Sequence, residues 1–168
     1  MKTDKLYLVG FMSAGKTSAA RLLATRLAWQ AEDIDELIEA RERLTVTEIF
    51  TRFGEPYFRS AERDILRVLL PLRRTVVATG GGTFVDADNR AAINRDGVSI
   101  WLDVPFADIL ARLPADGRRP LAADLSHLER LYHLRRTAYE QAHLRIDAAG
   151  AAIPEIVENI LHALSGSL

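Results

Sequence analysis

Apolar positions along the chain follow two alternating rhythms. Leu6-Tyr7-Leu8-Val9 is a short apolar run that stops at Gly10, and Thr75–Thr79 and Val98–Leu102 are runs of the same kind. The run at 75–79 is halted by Gly80-Gly81-Gly82. Short apolar runs bounded by turn residues read as buried strands. Between them, apolar residues recur at helical spacing: Ala19, Leu22, Leu23 and Leu27 within Lys16–Trp29, then pieces across 34–71 broken near Thr45 and at Gly54-Glu55-Pro56. Residues 86–95, with Asp86 near the start, and 106–113 also suit helices. Pro114 and Gly117 mark a loop, after which Leu125, Leu128, Leu131, Tyr132 and Tyr139 share one face of a long helix. Leu144–Asp147 predicts a last short strand, and Ile153, Ile156, Val157, Ile160, Leu161 and Leu164 predict a closing helix. This alternation predicts an α/β fold, a parallel sheet with helices on both faces. Ligands of such sheets bind beyond the carboxyl ends of the strands.

Composition narrows the field. At 168 residues, 48% hydrophobic and 27% charged, the chain is expected to form one domain over 1–168 with a full core. It has no cysteine, which excludes disulfide frameworks, thiol catalysis and thiolate metal sites. Its 22 basic and 23 acidic residues leave no basic field for nucleic acid. The start, Met1-Lys2-Thr3-Asp4, is polar, and no apolar run approaches the roughly 18 residues of a membrane span. A cytoplasmic monomer without nucleic-acid or membrane partners is expected. Lys2, Lys5 and Lys16 are its three lysines against nineteen arginines, so Lys16 stands alone beyond the fifth residue.

Lys16 belongs to the strongest motif. Gly10-Phe11-Met12-Ser13-Ala14-Gly15-Lys16-Thr17 fits G-x-x-x-x-G-K-[ST] at every fixed position, after a strand and opening a helix. Such a loop curls backbone N–H groups around phosphate oxygens and adds the positive end of a helix. Lys16 is expected at the β/γ-phosphates and Thr17 at Mg²⁺. Ser13, Ala14, Gly15 and Ser18 complete the nucleotide-binding set.

A metal also needs an acid, and two candidates compete. Asp103 ends the strand Val98–Leu102, although the following Val104-Pro105 also suits a turn. Asp33 and Asp35 flank Ile34 and face the same side of an extended segment. Asp35 equally suits a helix cap. Gly80-Gly81-Gly82, at a strand's carboxyl end, allows close approach of backbone N–H groups to a second substrate. Arginines gather at Arg59, at Arg118-Arg119 in a Pro/Gly loop, and at Arg135-Arg136 on the long helix. Arginine forks hold carboxylates or neutralise transferring phosphate. The loop at about 114–124 reads as a lid. His127, His133, His143 and His162 have no ligand-like spacing, and Phe50, Phe53, Tyr57 and Phe58 read as core with part available to wall a pocket.

With these residues in place, the chain resembles the shikimate kinases, small P-loop kinases, over essentially its whole length. The ordered pieces are GFMSAGKT at 10–17, DID at 33–35, EIFTRFGEPYFRSAE at 48–62, GGG at 80–82, IWLDV at 100–104, RRPL at 118–121 and an arginine-rich turn before Tyr139. The resemblance implies a five-stranded nucleoside-monophosphate-kinase-like fold with a lid and with substrate-binding helices at about 34–62. It implies ATP- and Mg²⁺-dependent phosphorylation of the 3-hydroxyl of shikimate, in aromatic amino-acid biosynthesis. It favours Asp33 over Asp103 for the metal and gives Asp35 the attacking hydroxyl. It assigns Arg59, one of Arg135 or Arg136, and the Gly80–Gly82 backbone to the shikimate carboxylate. Arg119 matches the lid arginine and Arg112 a position packed on adenine. Ser13 and Arg43 stand where the family often has glycine, and Glu32 replaces an apolar residue. The family's four-residue spacing before the tyrosine points to Arg135. The segment Tyr139–His143 looks one residue short, which tips the register toward Arg136, and both remain candidates. Rival readings are a gluconate kinase and a non-catalytic module sensing ATP and a shikimate-like acid.

Overall fold

A computed structural model of the chain describes residues 3–113 and 122–166. Five strands, β1 (Lys5–Val9), β2 (Gln30–Asp33), β3 (Thr75–Ala78), β4 (Val98–Asp103) and β5 (Leu144–Asp147), form one sheet in the order β2-β3-β1-β4-β5. Every neighbouring pair is parallel. All carboxyl ends therefore open on the same edge, and the chain leaves β1 toward β2 and β3 before returning to the other side for β4 and β5. Eight α-helices are present among the described residues: α1 (Lys16–Leu27), α2 (Ile34–Glu42), α3 (Val46–Phe53), α4 (Glu55–Leu69), α5 (Ala87–Asp96), α6 (Phe106–Arg112), α7 (Ala122–Tyr139) and α8 (Ile153–Gly166). A 3-10 turn covers Thr83–Val85. The predicted strands recur within a residue or two. The expected lid lies outside the described residues except for 122–124, which form the first turn of α7.

Local chemistry explains the breaks between 34 and 71. Asp33 caps α2, its carboxylate accepting from the Glu36 N–H. Thr45 and Glu48 form a reciprocal capping box that starts α3. Gly54 separates α3 from α4, and Pro56 sits in the first turn of α4, where its missing N–H costs nothing.

Side chains of β1 alternate between the two faces. Leu6 points with Leu27 of α1 and Leu161 of α8, and α1 also packs on β2, β3 and α8. Lys5 and Tyr7 point the other way, toward α4 and α5. Lys5 is fully buried and donates to the carbonyls of Leu69 and Leu72, capping the carboxyl end of α4. The Tyr7 hydroxyl donates to Asp96 of α5 at 2.5 Å. Helices thus cover both faces, as the alternation predicted.

Among the described residues, four non-glycine residues adopt left-handed backbone, including Ser13 at φ 58° and Arg43 at φ 56°. These are the two positions where a glycine was expected from the family pattern. Arg43 closes α2, its N–H bonding the Glu39 carbonyl, and its side chain is exposed. A left-handed L-residue costs about 1–2 kcal/mol, of which glycine's greater unfolded freedom returns about 0.4–1. Arg43→Gly should therefore raise the unfolding free energy by about 0.5–1 kcal/mol. Urea denaturation of the two proteins measures it; a lower midpoint for Arg43→Gly contradicts the strain.

Candidate active site

The loop between β1 and α1 turns because Gly15 holds φ 92°, a conformation L side chains rarely adopt. A β-carbon there would also stand 2.9 Å from Ile153 of α8. Lys16, the first residue of α1, folds back over the loop and donates to the carbonyls of Gly10 at 2.5 Å and Phe11 at 2.9 Å. Burial pulls its pKa down to about 8. Asp35 and Asp33 oppose that shift, and Arg135 adds to it.

Beside the loop, β2 delivers the two acids. The Thr17 hydroxyl donates to Asp33 Oδ2 at 2.5 Å, so the two expected metal ligands already meet. Both are hard oxygen donors, and one carboxylate plus a hydroxyl suits Mg²⁺, which takes its remaining ligands from phosphates and water. Asp35 is different. Its Oδ1 is buried with no protein hydrogen-bond partner. Burial, followed by the charge of Asp33, pushes its pKa up to about 6; Lys16 opposes this, and Glu62 and Glu39 add to it. A buried acceptor without a donor is what an incoming hydroxyl would satisfy. Loop, acids and glycine turn bound a cleft of about 390 Å³ lined by Met12–Ser18, Asp33, Asp35, Gly80 and Gly81. A larger hollow, about 690 Å³, opens at the amino ends of the strands. It is walled mainly by Leu6, Leu27, Trp29, Leu161 and Leu164, and none of the motif residues reaches it.

The three glycines after β3 have no left-handed φ; their use is room. A β-carbon on Gly80 would lie 2.8 Å from Asp35 Oδ1, one on Gly81 3.1 Å from the Arg135 guanidinium, and one on Gly82 2.5 Å from that of Arg59. Asp35, Arg135 and Arg59 thus come from α2, α7 and α4 to one turn. The turn itself is tied down. Gly80 N–H donates to the Thr83 hydroxyl at 3.0 Å, and the Tyr139 hydroxyl donates to the Gly81 carbonyl at 2.5 Å. The Gly80 N–H, expected to face a substrate, is therefore engaged within the protein.

Arg136 goes elsewhere. Its guanidinium donates to both oxygens of Asp103 at 2.7 and 3.3 Å and to the Tyr132 hydroxyl at 2.9 Å, and lies over the Trp101 ring. Asp103 is held from a second side by Arg145. The register that tipped toward Arg136 is not the one the helix adopts, since Arg135, not Arg136, reaches the glycine turn. Asp103 is engaged by two arginines rather than by Thr17. Arg112 Nη1 approaches the Ala14 carbonyl at 3.4 Å, at the rim of the phosphate loop. Arg119 and its neighbour Arg118 lie outside the described residues. The aromatic group divides: Phe58 is buried, whereas Phe50, Phe53 and Tyr57 remain 37–51% exposed. All four histidines are exposed and stand away from the cleft.

Comparison with known proteins agrees with this layout. The family model for shikimate kinase matches residues 12–165. A shikimate kinase of Persephonella marina is 37% identical over 157 residues, covering 93% of this chain and 96% of that protein. The chain belongs to the shikimate kinase family. A solved shikimate kinase from Acinetobacter baumannii, in complex with shikimate, superposes with a TM-score of 0.91 at 32% identity, covering 99% of this chain and 95% of that one. A thymidylate kinase from Candida albicans matches at 10% identity with a TM-score of 0.56, a likeness of fold alone.

In this shikimate kinase family member, Glu62, Thr83 and Tyr139 also stand at the site; Tyr139 marked only the register of the arginines before it, and nothing in the spacing marked Glu62 or Thr83. Glu62 is fully buried and accepts from Arg59 Nη1 at 3.1 Å and from the Thr83 hydroxyl at 2.8 Å. Tyr139 is buried, which pushes its pKa up to about 12 against the pull of Arg135 and Arg59, so it stays a donor. The only available signal was Glu62's place on the inward face of α4, in line with Phe58 and Ile65.

With three lysines in the chain, ¹³C-labelled lysine gives a readable spectrum. Lys16 should titrate at about 8 in the free protein, against an ordinary value near 10.4. Asp35→Asn removes a charge that favours the ammonium, so the Lys16 midpoint should fall further. A midpoint that rises in Asp35→Asn contradicts the geometry.

Proposed function

We propose that this chain transfers the γ-phosphoryl group of ATP to the 3-hydroxyl of shikimate, giving shikimate 3-phosphate for aromatic amino-acid (chorismate) biosynthesis. The observation that carries the reading is the meeting of one unpartnered acid, Asp35, and two arginines, Arg59 and Arg135, at a glycine turn beside a phosphate-binding loop. An acid for a hydroxyl and paired forks for a carboxylate match a small hydroxylated ring acid. Family membership supports the same substrate.

In the proposed reaction the substrate hydroxyl oxygen forms a bond to the γ-phosphorus while the bond to the bridging oxygen of ADP breaks. The hydroxyl proton passes to Asp35, whose raised pKa places it close to working pH. Lys16 stabilises charge on the transferring phosphoryl group. Thr17 and Asp33 would hold Mg²⁺, which neutralises phosphate charge when bound. Ser13, Ala14, Gly15 and Ser18 line the phosphate path, and Arg112 borders it. Arg119 enters on its sequence setting as a further phosphate contact. Arg59 and Arg135 orient the carboxylate, with Arg136 anchoring the helix that carries Arg135. The chain is read as a cytoplasmic monomer; among the described residues no helix is long and apolar enough to cross a membrane.

ADP release with a panel of hydroxy acids tests the reading. Turnover is expected with shikimate. Turnover with gluconate instead, or shikimate binding without turnover, overturns it.

Two variant sets test the assignments. Asp33→Asn should raise the Mg²⁺ requirement of turnover by about tenfold or more, the scale of losing one charge-assisted contact. Asp103→Asn should leave that requirement in place. A larger Mg²⁺ effect in Asp103→Asn would return β4 to the metal site.

Truncating one member of a buried charge pair costs about 2–5 kcal/mol, roughly thirtyfold to several thousandfold in affinity. Arg59→Ala and Arg135→Ala should each lose shikimate affinity on that scale while ATP binding persists. Arg136→Ala should lose far less. Calorimetric titration with both ligands decides; equal losses in Arg135→Ala and Arg136→Ala contradict the division of labour.

A further inference from the structure

We infer that Thr83 is a positioning residue for the substrate carboxylate: its hydroxyl fixes Glu62, and Glu62 fixes Arg59. The inference rests on the shikimate reading of the site and adds a residue to it. Thr83 follows the glycine turn and is fully buried. A threonine hydroxyl has one proton to give and lone pairs to receive. Here it accepts the Gly80 N–H at 3.0 Å, which leaves its proton for Glu62 Oε2 at 2.8 Å.

Glu62 has no solvent to compensate it. The terminal torsion of a glutamate is broad and turns easily unless its oxygens are held. Thr83 holds Oε2, and Arg59 Nη1 then meets both oxygens, at 3.1 and 3.3 Å. The second polar contact of Arg59, to Glu55 at 3.3 Å, involves a carboxylate 62% exposed. Such contacts are weak and screened. The direction of the Arg59 fork is therefore set from Glu62, and the fork lies against Gly82. The same hydroxyl binds the Gly80 N–H, so one side chain registers the arginine of α4 to the glycine turn of β3. A fork that must meet a carboxylate in plane loses affinity when its support is loose.

The test compares Thr83→Val, which keeps the shape and removes the hydroxyl, with Thr83→Ser, which keeps the hydroxyl. Calorimetry with shikimate should show about a tenfold to hundredfold loss in Thr83→Val, the scale of a hydrogen bond to a charged group. Thr83→Ser should return near wild type, and ATP affinity should stay unchanged in both. Thr83→Cys, a weak donor of similar volume, replaces Thr83→Val if that variant does not fold, and must also lose shikimate affinity. In parallel, the Arg59 side-chain Nε–H resonance, identified by its loss in Arg59→Lys, should shift or broaden in Thr83→Val and recover in Thr83→Ser. Unchanged shikimate affinity in Thr83→Val, equal losses in Val and Ser variants, or an unmoved Arg59 resonance each overturns the proposal. If the wild-type protein does not bind shikimate but the Arg59 resonance responds as expected, the positioning role stands and the substrate assignment falls.

Discussion

No β-carbon fits at Gly80, Gly81 or Gly82 without moving a functional side chain, and the site depends on that vacancy. Asp35, Arg135 and Arg59 each occupy the space a side chain would take on one of these residues. The parallel sheet makes the meeting possible. β1, β3 and β2 are successive neighbours, and strands lie about 4.8 Å apart. The phosphate loop after β1, the glycine turn after β3 and the acids at the end of β2 therefore open within roughly 10 Å of one another. Backbone with no side chain is what lets groups from α2, α4 and α7 close over the middle strand.

Charge follows from this crowding. Asp33, Asp35 and Glu62 face Lys16, Arg59 and Arg135 in a partly water-excluded space. Burial works against both signs, raising the pKa of Asp35 and lowering that of Lys16. The groups differ in how they are compensated. Glu62 has an arginine and a hydroxyl, Asp33 has the Thr17 hydroxyl and a helix N–H, and Asp35 Oδ1 has none among the protein atoms. Asp35 is therefore the acid whose oxygen remains open to a hydrogen-bond donor.

Much of this could be read from residue order. Strand runs ending in glycine, the phosphate-loop spacing and the i, i+2 acids each depend on local chemistry, and local chemistry is written in sequence. Glu62 and Thr83 were illegible for the opposite reason. A glutamate inside Arg59-Ser60-Ala61-Glu62-Arg63-Asp64 looks like one more charge on a solvated helix, and only the packing of α4 buries it. Lys5 gave no sign either, because the carbonyls it caps are 64 and 67 residues away. Arg135 and Arg136 differ by about 100° around a helix, so one residue of register decides between two walls of the molecule. Ser13 and Arg43 carried a readable signal: a non-glycine residue in a glycine position marks left-handed backbone.

Asp103 shows how the two walls are connected. Residues i and i+4 share a helix face, so Arg135 pairs with Tyr139 on one side of α7 and Arg136 with Tyr132 on the other. The first pair meets the glycine turn, through the Tyr139 hydroxyl on the Gly81 carbonyl. The second meets β4, through the Tyr132 hydroxyl on the Val104 carbonyl at 2.7 Å and Arg136 on Asp103. Rotation of α7 about its axis would break contacts on both sides at once. The strand-end acid that resembles a metal ligand thus serves as the far anchor of the helix. By holding Arg136 against β4, Asp103 leaves Arg135 at the glycine turn.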